Sequence, residues 1–197
     1  MRRNQDIGHV RYASVGGNTL ENTHPFVRVF RRREVALARN GTLRWSQVDN
    51  PLKFHPVGKT DSEQLLCALL TKLSKQRIDF TDLQGIQAVL RSFNGLGTMN
   101  VLFSEGDHLY CYRDQAGTNG LCRTERNAPI DKASLRDEDW EVDLAEEKRS
   151  DQRGFVIATR PLTNEQWNHL APGSLCLQRW RVCLWRLTRR STFVPCR

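Results

Sequence analysis

Four short motifs in the first third of the chain carry residue types that bind the charged groups of small ligands. Each also has an ordinary structural reading when it is taken singly. Asn-Gly is a strong turn signal, Thr-x-x-Glu is a helix capping box, and an arginine on a strand can be a surface residue. Only the joint occurrence of the four motifs therefore indicates a function. In chain order the motifs are HVRYAS at residues 9–14, NTHPF at 22–26, RNG at 39–41 and GKTDSE at 58–63.

In this order and spacing the motifs resemble the glutaminase domain of the class II glutamine amidotransferases. Residues 100–106 and 156–173 are similar to later strands of the stand-alone, YafJ-type subgroup, so the resemblance spans residues 8–177. It implies an α+β domain with the four-layer αββα architecture of N-terminal-nucleophile hydrolases, N-terminally incomplete. Residues 1–177 would form this domain, and residues 178–197 would be a basic C-terminal tail of unknown role.

The resemblance also implies a chemistry. The family hydrolyses the γ-amide of glutamine, or of a related γ-glutamyl compound, through the thioester of an N-terminal cysteine whose α-amine acts as base. The motif positions assign two oxyanion donors, the side-chain amide of Asn40 and the backbone N–H of Gly41. They assign Arg11 to the substrate's α-carboxylate, Ser14 to support of that end, and Asp61 to the α-ammonium. His24 receives no role.

Two departures from the family pattern change this expectation. Arg39 stands where the family has histidine, and a planar cation at this position could crowd or re-aim the oxyanion donors. The family places an N-terminal cysteine several tens of residues before the HVRYAS strand, whereas eight residues precede that strand here and the first cysteine is Cys67. We therefore expect that the N-terminus is truncated or misassembled and that the chain as given is inactive.

Hydrophobic periodicity and turn residues predict the elements that must position these motifs. The first helix is capped by Thr60 with Glu63 reaching back from the third position, and the second is capped by Thr81 with Gln84 in the same place. An Asn-Gly turn follows the second helix. Strands are predicted at 9–14, 34–38, 98–104, 108–113, 120–124, 155–159 and 174–177, and a turn or short helix at 161–167.

The composition is that of a soluble globular protein, with 39% hydrophobic and 26% charged residues. No apolar run approaches the roughly 18 residues of a membrane span, and the N-terminus has no signal-peptide pattern. The six cysteines show neither a CxxC pair nor zinc-ligand spacing, which favours a reducing, cytoplasmic compartment without a metal or another cofactor. The expected partner is a small molecule, glutamine or a γ-glutamyl amide; the oligomeric state is left open.

Two alternatives to catalysis remain at this stage. The first is a non-catalytic module that keeps the γ-glutamyl pocket. The second, less favoured, is a nucleic-acid binder, because six arginines and no acid follow Leu177 in a chain of net charge +8. The alternating residues 179–186 suit an edge strand, a nucleic-acid or membrane contact, or a segment without selected role, and the last is preferred. Arg28 and the arginines at 31–33 are expected in a hairpin loop.

Overall fold

A computed structural model describes most of the chain. The described residues are 22–45, 52–126, 134–136, 141–143, 154–179, 182–187 and 193–194. The predicted strand at 9–14, with Arg11 and Ser14, lies outside them. No helix among the described residues is long and apolar enough to cross a bilayer.

The described residues form two compact units, one within 1–119 and 171–197 and the other within 120–170. The elements of the first unit are β1 (Phe26–Phe30), β2 (Arg33–Asn40), α1 (Asp61–Lys75), α2 (Leu83–Arg91), β3 (Asn100–Ser104), β4 (His108–Tyr112), β10 (Leu175–Arg179), β11 (Val182–Leu187) and β12 (Phe193–Val194). Its strands form a seven-stranded antiparallel sheet in the order β1-β2-β3-β4-β10-β11-β12.

The second unit contains a three-stranded antiparallel sheet and a separate antiparallel strand pair. The elements of this unit are β5 (Cys122–Arg126), β6 (Ser134–Arg136), β7 (Glu141–Asp143), β8 (Gly154–Ala158) and β9 (Asn168–His169). The three-stranded sheet has the order β8-β5-β9, and β6 pairs with β7. The predicted α+β class is confirmed, and the four-layer arrangement stays a prediction.

The core of the first unit is the apolar face of the sheet with the leucine stripe of α1. Leucines recur on α1 at helical spacing and are fully buried, as predicted. Side chains of β2 alternate, so that Val35, Leu37 and Arg39 share the buried face and Asn40 is exposed. Aromatic side chains of β3 and β4, Phe103 and Tyr110, stack with their ring centroids 4.3 Å apart. A continuous core thus supports the strand that ends at Asn40.

The first strand pair corrects the prediction for the basic cluster. Only Arg31 and Arg32 form the turn, with φ of 50° and 64°, a left-handed pair that matches the twist of a two-residue hairpin. Arg28 belongs to β1 and Arg33 to β2. Strand β1 itself, which pairs with β2 from Phe26↔Leu37 onward, was not predicted.

The first helix begins as predicted, but its capping box is only half formed. Thr60 Oγ1 accepts a hydrogen bond from Glu63 N at 3.2 Å. The Glu63 carboxylate does not return this bond. It accepts from Val57 N at 2.9 Å and Gly58 N at 2.7 Å, and it forms an ion pair with Arg28. Glu63 therefore makes no reciprocal capping bond, because its carboxylate is engaged by the preceding loop and by Arg28 of β1.

The cap predicted for the second helix was wrong by one residue. Asp82 is the N-cap, and its Oδ1 accepts from Gly85 N at 2.9 Å. The backbone N and the hydroxyl of Thr81 both donate to Asp79 Oδ1 at 3.1 Å. Thr81 is therefore engaged in the turn before the helix, which leaves the capping position to the next residue.

The later strands agree with the predictions within a few residues. The predicted hairpin appears as β3 and β4, and β5, β8 and β10 overlap the segments predicted at 120–124, 155–159 and 174–177. Residues 161–167 form bends and no helix. Residues 182–187, for which no selected role was preferred, form β11 between β10 and β12. The domain boundary at 177 stays a prediction, and β10 runs through it.

Burial of ionisable hydroxyl and thiol groups predicts a loss of stability at alkaline pH. Burial raises the pKa of Tyr110, Tyr112 and Cys67 above their ordinary values, so the folded chain keeps protons that the unfolded chain releases. The contribution of these three groups to the free energy of unfolding should therefore be constant below about pH 8 and fall as the pH rises further. Urea titrations between pH 7 and 11 measure it.

Replacing Tyr110 by Phe isolates one of these groups. The change removes a hydrogen bond to Phe80 O, 2.8 Å long, which lowers stability by about 1 kcal/mol below the ordinary tyrosine pKa. It should also make the alkaline slope shallower, by up to about 1.4 kcal/mol per pH unit above the ordinary tyrosine pKa. An unchanged slope in Tyr110→Phe would contradict the assignment.

Candidate functional site

The predicted oxyanion donors stand at the end of β2. Asn40 is its last residue, pairs with Asn100 of β3 and is exposed. Gly41 follows with φ of +131°, and a Cβ at this position would lie 2.2 Å from the carbonyl oxygen of Thr98. Because β2 pairs onward with β3, sixty residues later, Asn-Gly is not a hairpin turn here. Only glycine fits this close backbone approach.

A second asparagine sets the orientation of the Asn40 side chain. Asn119 Nδ2 donates to Asn40 Oδ1 at 3.1 Å. Since an amide NH2 can only donate, this contact uses the Asn40 oxygen as acceptor and does not use the Asn40 NH2. Asn119 is held in turn, because Asn100 Nδ2 donates to its carbonyl oxygen at 3.2 Å.

The contact of Asn119 with Asn40 could not be predicted from the sequence. It lies in a Thr-Asn-Gly segment that reads as an ordinary turn, and its contact spans seventy-nine residues. The loop that carries it is bound by the buried Asp114, whose Oδ1 accepts from Ala116 N and Gly117 N. Asp114 N donates to Asn100 Oδ1 at 3.0 Å. Asn100 therefore connects the end of β2 with this loop.

Arg39 occupies a different place from the one expected. It lies on the buried face of β2, opposite to Asn40, and is 4% exposed. Its Nη2 lies 2.7 Å from Asp61 Oδ1, its Nε donates to Ser62 Oγ at 3.0 Å, and its Nη1 donates to Thr98 O at 3.3 Å. The expectation that Arg39 crowds Asn40 is therefore wrong, because strand alternation directs it toward α1.

Asp61, the first residue of α1, is the partner of this arginine. Its second carboxylate oxygen, Oδ2, accepts from Leu43 N at 2.8 Å, and its carbonyl accepts from Trp45 Nε1 at 3.1 Å. The Asp61 side chain is 16% exposed. Burial lowers the pKa of Arg39, and the Asp61 carboxylate opposes that effect. Arginine nevertheless keeps its proton at neutral pH, so the pair is ionic.

The structure thus brings three of the five predicted site residues to one end of β2. Asn40 and Gly41 follow directly after Arg39, and Arg39 binds Asp61. Arg11 and Ser14 lie outside the described residues, and their roles stay predictions. In the part of the chain that the structure describes, no group of three or more His, Cys, Asp or Glu side chains could hold a metal ion.

Four cysteines of the described ranges are buried and lie outside any disulfide, namely Cys67, Cys111, Cys122 and Cys176. Burial raises the pKa of Cys67, which keeps this thiol protonated and unreactive.

Comparison with known proteins decides the family. The family model described as class-II glutamine amidotransferases matches residues 1–193. This chain belongs to that family. It is 38% identical over 178 residues to an uncharacterized protein of Methanocaldococcus jannaschii, covering 89% of this chain and 50% of that protein. It is 37% identical over 187 residues to the putative glutamine amidotransferase YafJ of Escherichia coli, covering 90% of this chain and 69% of YafJ.

A solved structure agrees with this assignment. The crystal structure of a predicted glutamine amidotransferase from Pseudomonas aeruginosa PA01 is similar with a TM-score of 0.69 and 36% identity, over 82% of this chain and 63% of that one. The resemblance stated from the motifs is confirmed. The chain spans about half of the length of its archaeal relative.

The close approach at Gly41 yields a stability prediction with a matched control. Gly41→Ala combines a left-handed φ with a clash against backbone, whereas Gly106→Ala has a φ of +98° and open space. Gly106→Ala should cost about 1–2 kcal/mol of unfolding free energy. Gly41→Ala should cost about 1–3 kcal/mol more, because Thr98 must move. Equal losses, measured by urea denaturation, would contradict the close approach.

Proposed function

We propose that this chain forms a γ-glutamyl amide site in which the Asn40 side-chain amide and the Gly41 N–H bind the oxygen of the γ-amide. The observation that carries the proposal is the pair itself, an exposed asparagine with its oxygen held by Asn119 and a glycine at a position where no side chain fits. Two adjacent donors that are fixed before the ligand arrives are what an oxyanion site needs. Membership of the amidotransferase family supports the same substrate class.

The remaining contacts follow from the motif positions. Asp61 is proposed to bind the α-nitrogen of the ligand, and its ion pair with Arg39 connects it with the strand that carries Asn40. Arg11 and Ser14 are proposed to bind the α-carboxylate. A cation that can form two parallel hydrogen bonds suits a carboxylate, which is the reason for assigning Arg11 there.

Binding of a γ-glutamyl amide and its hydrolysis have different requirements. By the family's route, hydrolysis requires a cysteine thiol beside the oxyanion donors. The first 66 residues of the sequence contain no cysteine, and Cys67 is buried in α1. We therefore propose that these 197 residues bind a γ-glutamyl amide without cleaving it, which is the non-catalytic alternative for the chain as given.

Ligand-detected NMR titrations test the proposed site. L-Glutamine should bind more tightly than L-norvaline, which lacks the γ-amide, because only the former reaches both donors. Asn40→Ala should weaken glutamine binding about fivefold, the value of one neutral hydrogen bond, and leave norvaline unaffected. The control Asn164→Ala changes an exposed asparagine of the other unit and should leave both affinities unchanged.

Two outcomes would contradict the proposal. Equal affinity for glutamine in Asn40→Ala and in the unmodified chain would remove Asn40 from the site. Ammonia release from glutamine above the buffer blank, lost in Asn40→Ala, would show that the chain has a nucleophile and hydrolyses its ligand.

A further inference from the structure

The carboxylate at the α-nitrogen end of the proposed site is already paired within the protein. Asp61 Oδ1 contacts Arg39 Nη2 at 2.7 Å, and Asp61 Oδ2 accepts from Leu43 N at 2.8 Å. The cation is buried, with 2% of its side chain exposed, whereas the carboxylate is 16% exposed. A ligand that reaches Asp61 therefore meets an ion pair and not a free negative charge.

We infer that Arg39 is a specificity-determining residue that compensates the charge of Asp61, so that the site accepts γ-glutamyl amides whose α-nitrogen is uncharged, as in an N-acylated or peptide-linked glutamine. The inference rests on the proposed function and names its substrate class. It also departs from what the motif resemblance implies for Asp61, namely the binding of a free α-ammonium.

Electrostatics favours this substrate class. An ammonium placed against Asp61 would be attracted by the carboxylate and repelled by the guanidinium paired with it, which offsets much of the attraction. An acylated α-nitrogen carries no charge to be repelled. Its N–H can still donate to Asp61, because a carboxylate has about four acceptor positions and each oxygen has one protein partner.

Arg39 cannot easily leave the pair to make way for an ammonium. All three of its nitrogens have partners in the folded chain, which are Asp61, Ser62 and the carbonyl of Thr98. A rotation away from Asp61 would break these contacts in a buried environment, where an unpaired charge is costly. The compensation is therefore a fixed property of the site.

The test compares L-glutamine with N-acetyl-L-glutamine by ligand-detected NMR on the full chain. The unmodified protein should bind the acetylated ligand at least as tightly as glutamine. Arg39→Met leaves Asp61 uncompensated and should shift the preference toward glutamine by about tenfold or more. Arg39→Lys keeps a cation and should keep the order of the unmodified chain.

A variant that does not depend on removing the buried cation keeps the test decisive. Asp61→Asn leaves the Arg39 cation uncompensated, so this cation should repel the glutamine ammonium and move the preference further toward the acetylated ligand. A preference of the unmodified chain for glutamine of tenfold or more, lost in Asp61→Asn, would overturn the inference. The comparison of the unmodified chain with Asp61→Asn tests the inference even if circular dichroism shows that Arg39→Met is unfolded.

A further ligand separates failure of this inference from failure of the proposed function. N-acetyl-L-norvaline lacks the γ-amide and should bind more weakly than N-acetyl-L-glutamine. If glutamine is preferred over its acetylated form but binding still needs the γ-amide and Asn40, the substrate class is wrong and the site stands. If binding of both amides is independent of Asn40, or absent, the proposed site itself fails and the inference fails with it.

Discussion

The buried ion pair between Arg39 and Asp61 is the interaction on which the site depends. Arg39 also contacts Ser62 and the carbonyl of Thr98, so one side chain joins the end of β2, the first turn of α1 and the segment before β3. Removing one partner of such a pair leaves an unpaired buried charge, which typically costs about 3–5 kcal/mol. The pair thus holds three segments in one arrangement, with Asn40 and Gly41 at their meeting point.

A second buried carboxylate, that of Glu63, also secures the start of α1. Glu63 is 2% exposed, forms an ion pair with Arg28 of β1, and accepts from two backbone N–H groups of the loop before α1. Asp61 and Glu63, two residues apart, therefore fasten the helix start to β2 and β1 respectively. Both carboxylates also lie in the first helical turn, where the helix dipole favours negative charge. The position of the candidate site follows from these contacts of the sheet with one helix terminus.

Elements set by local patterns could be predicted from the sequence, and contacts between distant residues could not. The leucine stripe of α1 and the hairpin of β3 and β4 follow from periodicity and turn residues. The partner of Glu63, the orientation of Arg39 and the contact of Asn119 with Asn40 depend on loops and strands far away in sequence. For Asn40, Gly41 and Asp61 the motifs identified the candidate residues, but only the fold revealed that Asp61 is already paired.

A crystal structure of the chain with bound N-acetyl-L-glutamine tests the proposed site most directly. The γ-amide oxygen should lie within hydrogen-bond distance, about 2.7–3.2 Å, of both Asn40 Nδ2 and Gly41 N. The Arg39–Asp61 pair should stay intact beside the acylated nitrogen. A ligand bound elsewhere, or an Asn40 amide that turns its oxygen toward the ligand, would contradict the proposed site.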